Sequence, residues 1–185
     1  MPAVRAPSFR IIGGRWRGRR VRFAPSAGLR ASGDRARESL FNILGQRLDG
    51  RSCLDLFAGA GALGLEAASR GAAPVVCVEK NGDTARALRR TAEMLGADSV
   101  RVHIRRAEDF LSECGGRFDL ILMDPPFADY AADGAWRRLL DSAAAGLAVG
   151  GTAYCESDRH FSPPAGWRIV RRKKTGAVCW QLLRR

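Results

Sequence analysis

What the 185 residues lack narrows the field first. No run of about 18 apolar residues is present, so no membrane-crossing helix is expected. The opening stretch "MPAVRAPSFR" has no apolar h-region, which argues against a secretory signal. The five cysteines, Cys53, Cys77, Cys114, Cys155 and Cys179, form an odd set without a CxxC pair, and most sit inside apolar runs. They read as small buried hydrophobes of a reducing compartment, not as a disulfide frame or a zinc site. No cluster of His, Cys and carboxylates suggests a metal, and none is expected. Repeats and low-complexity linkers are also missing, so the length points to one well-cored domain with at most a small appendage. A cytoplasmic monomer is the expectation.

Acidic residues are missing from one place in particular. Residues 168–185 carry seven Lys/Arg and no Asp/Glu, residues 1–52 carry twelve against three, and residues 53–167 carry twelve against sixteen. The net charge of +12 therefore sits at the two ends of a slightly acidic body. That pattern suits ends that touch a polyanion while the body holds the machinery. Solvated surface is the plainer alternative, but in "RIIGGRWRGRRVRF" the arginines are interleaved with Gly and Trp, which favours nucleic acid.

Residues 10–23 alternate loosely and read as a β-hairpin or extended arm with a turn near Gly13-Gly14, a docking surface more than core. A basic N-terminal arm is thus assigned to residues 1–30, and one α/β domain to residues 31–185. Within "GLRASGDRARESLFNILGQRL", Asp34 stands in N-cap position, and Leu40, Phe41, Ile43, Leu44 and Leu48 recur at helical spacing before Gly50 closes the helix. From Ser52 onward the pattern becomes strand, turn, helix, repeated. "SCLDLF", "PVVCVE", "VRVHIR", "FDLILM" and "TAYCE" are short apolar strands, and "GALGLEAASRG", "NGDTARALRRTAEML" and "WRRLLDSAAAGL" are helices between them. Such alternation predicts a mostly parallel sheet covered on both faces. The last 18 residues read as two strands around a Lys-Thr-Gly turn, an antiparallel hairpin at the sheet edge.

"DLFAGAGALGLEA" places Gly59, Gly61 and Gly64 in G-x-G-x-x-G spacing after a strand, with Glu79 about 20 residues on at the end of the next strand. This fits a dinucleotide fingerprint. Asp55 at the end of the first strand weighs against a pyrophosphate, which its carboxylate would repel. It suits a ligand carrying an ammonium and no phosphate. S-adenosylmethionine is such a ligand, with an amino group and sulfonium for the carboxylate and ribose hydroxyls for Glu79. A merely structural strand-to-helix turn is the remaining reading of the glycines.

"LILMDPPF" ends a buried strand with Asp124, Pro125, Pro126 and Phe127. Two prolines remove two donors and fix φ near −65°, leaving a stiff turn with free carbonyls. In an open parallel sheet, ligands bind outside the carboxyl ends of the strands where strand order reverses, and the first and fourth strands would flank that point. The glycine turn and the Asp-Pro-Pro turn then share a crevice. An exocyclic amine on a nucleobase is a poor nucleophile. Donating its hydrogens to the Asp124 carboxylate and the Pro125 carbonyl helps localise its lone pair, while Phe127 offers a face for stacking worth about 1–3 kcal/mol. The base must leave its stack to get there, and catalysis is mainly positioning. A bare strand-ending turn is the plainer alternative.

Along nearly the whole chain, from "RIIGGRWRGR" through "GLRASGDRARESLFNIL" and "CLDLFAGAGALGLEAASRGA" to "LILMDPPF", the sequence resembles the bacterial small-subunit ribosomal RNA guanine-N2-methyltransferases of the class I, Rossmann-like fold. The turn alone is shared with enzymes acting on adenine or cytosine; the run Asp-Arg-x-Arg-Glu-Ser-Leu-Phe-Asn is the specific part. The resemblance implies a seven-stranded sheet, S-adenosylmethionine as cofactor, and methylation of one guanine of 16S rRNA in a partly assembled small subunit. Carried onto matching positions, it implies Asp55, Phe57, Gly59, Gly61 and Glu79 as cofactor residues, and Asp124, Pro125, Pro126 and Phe127 as the residues that hold and polarise the base. The basic arm, with Arg10, Arg15, Trp16, Arg17, Arg19 and Arg20, together with Arg35 and Arg37, would grip RNA. Trp16 reads equally as a plug against the body, and Arg37 with Glu38 equally as a structural ion pair. Some of Asp34, Arg35, Arg37, Glu38 and Asn42 are expected to face the pocket. Two departures stand out. Arg30-Ala31-Ser32 replaces the family's Arg-Pro-Thr, and Arg106 stands where an Asp or Asn usually accepts from the adenine amino group. An arginine cannot accept, so that contact passes to Ala107 or Glu108. A DNA or RNA adenine-N6-methyltransferase and a non-catalytic assembly factor are the rival functions.

Overall fold

A computed structural model of the protein describes residues 6–24, 34–115, 118–132 and 134–185, apart from the side chain of Asp34. The Arg30-Ala31-Ser32 departure, the arm boundary near residue 30 and the capping role of Asp34 lie outside the described residues.

An N-terminal two-stranded hairpin, β1 (Ser8–Arg10) and β2 (Arg20–Arg22), precedes helix α1 (Asp34–Leu44). The alternation then unfolds as β3 (Cys53–Asp55), α2 (Ala62–Ser69), β4 (Val75–Glu79), α3 (Gly82–Leu95), β5 (Val100–Ile104), α4 (Ala107–Glu113), β6 (Phe118–Met123), a 3-10 turn (Phe127–Tyr130), α5 (Ala135–Gly146) and β7 (Leu147–Ser157), with β8 (Arg168–Thr175) and β9 (Val178–Arg184) last. The seven-stranded sheet has the order β5-β4-β3-β6-β7-β9-β8. Its first five strands are parallel, and β9 runs antiparallel between β7 and β8. This is the mostly parallel Rossmann-like sheet with an antiparallel C-terminal hairpin that the sequence predicts. The helix read to Gly50 ends earlier. It stops at Leu44, because Gly45 takes φ +106°, and Leu48 is buried from the loop that follows, its N–H donating to the Arg70 carbonyl.

Continuous apolar runs make buried parallel strands because both faces are covered. One core joins Cys53, Val75, Cys77, Leu120, Leu122 and Tyr154 to α1, α2, α3 and the N-terminal hairpin; the other joins Leu54, Val78, Ile121, Met123 and Cys155 to α4 and α5.

The hairpin departs from the expected docking arm. Phe9, Ile11, Trp16 and Val21 are buried in the first core. Its tip turns at Gly14–Arg17, beginning at the second glycine of the expected pair, with the Arg17 N–H on the Gly14 carbonyl. The glycines serve close approach. A Cβ on Gly14, where φ is +75°, would lie 1.8 Å from the Ser69 carbonyl oxygen, and one on Gly13 would lie 2.4 Å from the Arg70 guanidinium. The loop is fastened to the end of α2. Ile12 and Gly13 N–H donate to the two Glu66 oxygens at 2.8 Å each, Trp16 N–H donates to Ser69 Oγ, and that hydroxyl donates to the Gly13 carbonyl.

Candidate active site

Strands β3 and β6 lie side by side, but the chain leaves them toward opposite ends of the sheet, so a crevice opens at their carboxyl ends. A cleft of about 590 Å³ occupies it, roomy enough for a nucleoside-sized ligand. Asp55, Phe57, Gly59, Glu79, Ala107, Glu108 and the whole of Asp124-Pro125-Pro126-Phe127 line this one cleft. Gly61 does not line it. With φ +87° it opens α2, and a Cβ there would meet Leu88 Cδ1 at 2.3 Å. Gly64 is needed for the helix to approach the strand: a Cβ would sit 2.6 Å from Cys77 Sγ and 3.2 Å from Asp55 Oδ2.

Four strands carry an acid at or beside their carboxyl ends. Asp55 closes β3 at 1 % exposure, its Oδ2 accepting the Gly64 N–H at 2.9 Å while Oδ1 has no partner among the described residues. Burial pushes its carboxyl up to about 7, opposed by the backbone N–H groups of Gly64 and, outside good hydrogen-bond geometry, Phe57, and helped by the charges of Asp124 and Glu79. An orphaned oxygen on a buried carboxyl is costly unless a ligand cation completes it. Glu79 closes β4, and Gly59 and Asn81 N–H donate to its two oxygens at 2.9 and 2.7 Å. A carboxylate has about four acceptor positions, so this one is oriented by amides and keeps capacity for a diol.

Asp124 directly follows β6. In the turn after it, the Pro126 carbonyl accepts from Asp129 N–H at 3.0 Å, whereas the Pro125 carbonyl accepts from none of the described residues and stays available. One of the two carbonyls expected to be free is therefore used to build the 3-10 turn. That turn folds over the side of the cleft formed by Phe57, Lys80 and Glu108: the Tyr130 ring meets Phe57 edge-on at 5.6 Å, its hydroxyl donates to Glu108 Oε1 at 2.5 Å, and Lys80 pairs with Asp129 at 3.2 Å. Arg106, at the N-terminus of α4, also lines the cleft, with Nε 3.9 Å from Glu108 Oε2.

Glu156, near the end of β7, does not line the cleft but stands beside Asp124 in the next strand, and sequence reasoning missed it. It is 2 % exposed, and Tyr154 Oη donates to its Oε1 at 2.6 Å. Since Met123 pairs with Cys155, the next residues along, Asp124 and Glu156, follow in adjacent strands. Burial first, then the neighbouring Asp124 charge, raises the Glu156 carboxyl to about 8, while Tyr154 and Arg37 oppose the rise. A signal for it exists in the sequence: "CLD", "VCVE", "ILMD" and "AYCE" repeat one pattern, an acid at the end of an apolar strand.

Two residues expected to touch RNA are interior. Trp16 is 8 % exposed and packs in the first core, as the plug reading has it. Arg37 is fully buried; its partner is Glu66 at 3.4 Å, not Glu38, its Nη2 donates to the Arg10 carbonyl, and its guanidinium lies 5.0 Å from the Phe9 ring centre. Arg70 shares Glu66 with it. Buried charge is tolerated only when paired and hydrogen-bonded, and this network meets that condition. Arg10, Arg15, Arg17, Arg19, Arg20 and Arg35 are exposed, and none lines the cleft. Nor do Glu38 or Asn42, whose Oδ1 accepts from Gln46.

The family described as conserved hypothetical protein 95 matches residues 9–184. Ribosomal RNA small subunit methyltransferase D of Escherichia coli (strain K12) is 38 % identical over 179 residues, which are 95 % of this chain and 89 % of that one. The protein of the same name from Haemophilus influenzae is 35 % identical, covering 94 % and 92 % of the two chains. Among solved structures, a putative methyltransferase from Escherichia coli superposes with a TM-score of 0.85 at 35 % identity, covering 96 % of this chain and 97 % of that one. A fold, a cleft and an Asp-Pro-Pro turn arranged in this way, matched along almost its entire length, place the chain in the conserved hypothetical protein 95 family, with the class I fold of its methyltransferase relatives.

Proposed function

We propose that this protein transfers a methyl group from S-adenosylmethionine to the exocyclic N2 of one guanine in small-subunit ribosomal RNA, its substrate being a partly assembled particle. The observation that carries the reading is a single cleft in which Asp55, with one orphaned oxygen, and the amide-oriented Glu79 face the Asp-Pro-Pro-Phe turn. The names of the relatives support rRNA as substrate.

The donor fits the residues present. Asp55 Oδ1 would accept from its amino group, Glu79 from its ribose hydroxyls, and Ala107 and Glu108 would border its adenine. S-adenosylmethionine would supply an electrophilic methyl group and leave as S-adenosylhomocysteine, and the proton displaced from guanine N2 would pass to the Asp124 carboxylate or to water. Asp124 and the Pro125 carbonyl accept the N2 hydrogens and turn the lone pair toward the methyl group. Phe127 stacks on the base, and the stiffness of two prolines keeps these acceptors in place while the base enters. The exposed arginines Arg10, Arg15, Arg17, Arg19, Arg20 and Arg35 contribute to RNA attraction through the field they generate.

Labelled S-adenosylmethionine, incubated with small-subunit particles and with naked 16S rRNA from cells lacking this protein, should yield N2-methylguanosine in the particles. Asp124→Ala should lower turnover by about 10²-fold or more with cofactor affinity nearly intact. Methyladenosine as product would overturn the base assignment, and loss of cofactor binding with activity would make Asp124 a folding residue.

A further inference from the structure

Strand β8 is the outer edge of the sheet, and where edge strands commonly carry a protecting charge, five of its eight residues are cations. All of Arg168–Lys174 is exposed, on both faces, and only Thr175 is half-buried. Its five cations, Arg168, Arg171, Arg172, Lys173 and Lys174, make no ion pair and no side-chain hydrogen bond with any described residue. Elsewhere Arg37, Arg70, Lys80, Arg86 and Arg105 are each matched to a carboxylate, whereas the exposed arginines of the hairpin, like those of β8, have none among the described residues.

The strand register says where this unmatched charge lies. Arg172 is opposite Gln181, which is opposite Cys155, which is opposite Met123. Lys173 is opposite Trp180 and so in line with Glu156; Lys174 is opposite Cys179 and so in line with Ser157. The Arg172–Lys174 end of β8 therefore stands level with the Asp124 turn, three strand spacings away, about 14 Å at 4.7–4.9 Å each. Arg168, in line with Arg184 and Thr152, lies at the opposite end of the strand. Successive residues face opposite sides of the sheet, so Arg171 and Lys173 stand on the face that carries α1 and the hairpin, one above the other by about 6.6 Å. Charges repeated at that interval along an extended backbone match a polyanion that is itself a chain of regularly spaced charges.

We propose that β8 is a docking strand for the phosphate backbone of the RNA that flanks the target base, gripped most firmly at its Arg171–Lys174 end. This rests on the reading of the protein as an RNA methyltransferase. Carboxylates of the strand-end row and the cations of β8 then divide the substrate between them, the base in the crevice and its flanking phosphates on the edge strand.

The test compares the full-length protein with R171Q/R172Q/K173Q/K174Q, whose changes are all at exposed positions. Binding to small-subunit particles and to 16S rRNA is measured across a salt series, with methyl transfer and S-adenosylmethionine affinity recorded alongside. Each phosphate that is no longer neutralised lowers the salt slope by about 0.7–0.9, so the expected change is about 3 in slope and a rise in KM of about tenfold or more, with kcat and cofactor affinity unchanged. R168Q alone should change both far less. An unchanged slope and KM in a protein whose wild type binds and methylates RNA would overturn the docking strand alone. Weakened binding to particles with undiminished binding to naked rRNA would overturn it in favour of a protein partner. A wild type that neither binds nor methylates RNA would overturn the functional reading itself.

Discussion

The two ends of this chain carry similar charge in sequence and are anchored differently in structure. At the N-terminal end, the hairpin is fastened inward: its backbone donors reach Glu66, its apolar side chains enter the core, and Arg37 and Arg70 are drawn beneath it by the same carboxylate. At the C-terminal end, β8 is held by its ladder to β9, and its cations face solvent unmatched by any described residue. A basic segment in a sequence thus declares charge but not direction. What turns inward at the N-terminal end is the hairpin's backbone and apolar side chains, fastened by Glu66, while the hairpin's own arginines stay as exposed as the cations of β8.

Removing that acid should give the largest effect. Glu66→Ala leaves Arg37 and Arg70 buried without their partner and two hairpin amides without an acceptor, so denaturant unfolding should show a loss of about 3–5 kcal/mol. Neutralising the four cations of β8 should change stability by no more than about 0.5 kcal/mol, which would draw the contrast at its sharpest. Trp16→Ala tests the hairpin itself: a large side chain removed from a core costs about 3–5 kcal/mol, and at a permissive temperature its RNA affinity should stay close to wild type. A loss of RNA affinity without loss of stability would put Trp16 back on the RNA and break the comparison. Deleting residues 1–23 cannot separate the two roles, because it strips Phe9, Ile11 and Val21 from the core along with the exposed arginines.

A smaller effect links the inward end to the site. Arg37 opposes the rise of the Glu156 carboxyl, which burial lifts from an ordinary 4.5 to about 8. A folded value above the unfolded one means that the fold prefers the protonated acid. The stabilisation is complete below about pH 4.5 and is lost as pH climbs to about 8. Glu156→Gln should flatten the decline of melting temperature across that window, leaving a residual slope from Asp55, which is raised in the same sense to about 7. An unaltered decline would mean that Glu156 is ionised in the fold throughout.

Much of this architecture is legible in the sequence because its signals are local. Apolar runs bounded by glycine turns mark β3, β4 and β6, the Lys-Thr-Gly turn marks β8 and β9, and the strand-end acids with the Asp-Pro-Pro turn mark the cleft. Pairings between distant residues are not legible. Nothing near Arg37 announces Glu66, 29 positions away, and nothing near Tyr130 announces Glu108. Helix α4 escapes a reading by periodicity because seven residues give less than two turns of apolar spacing. The early end of α1 follows from one glycine whose conformation the helical pattern does not encode.

The row of acids at the strand ends has a consequence for what can enter the crevice. Asp55, Glu79 and Asp124 give a strongly basic protein an opening lined with carboxyl groups, with Glu156 buried beside Asp124 in the next strand. On the proposed function, a nucleotide approaching it would be sorted by its own parts: the ring, rich in N–H donors, suits carboxyl groups that accept hydrogen bonds, and the phosphate finds its partners among the exposed cations outside. The polarity of the opening would then act as a filter for orientation before any contact specific to one base is made.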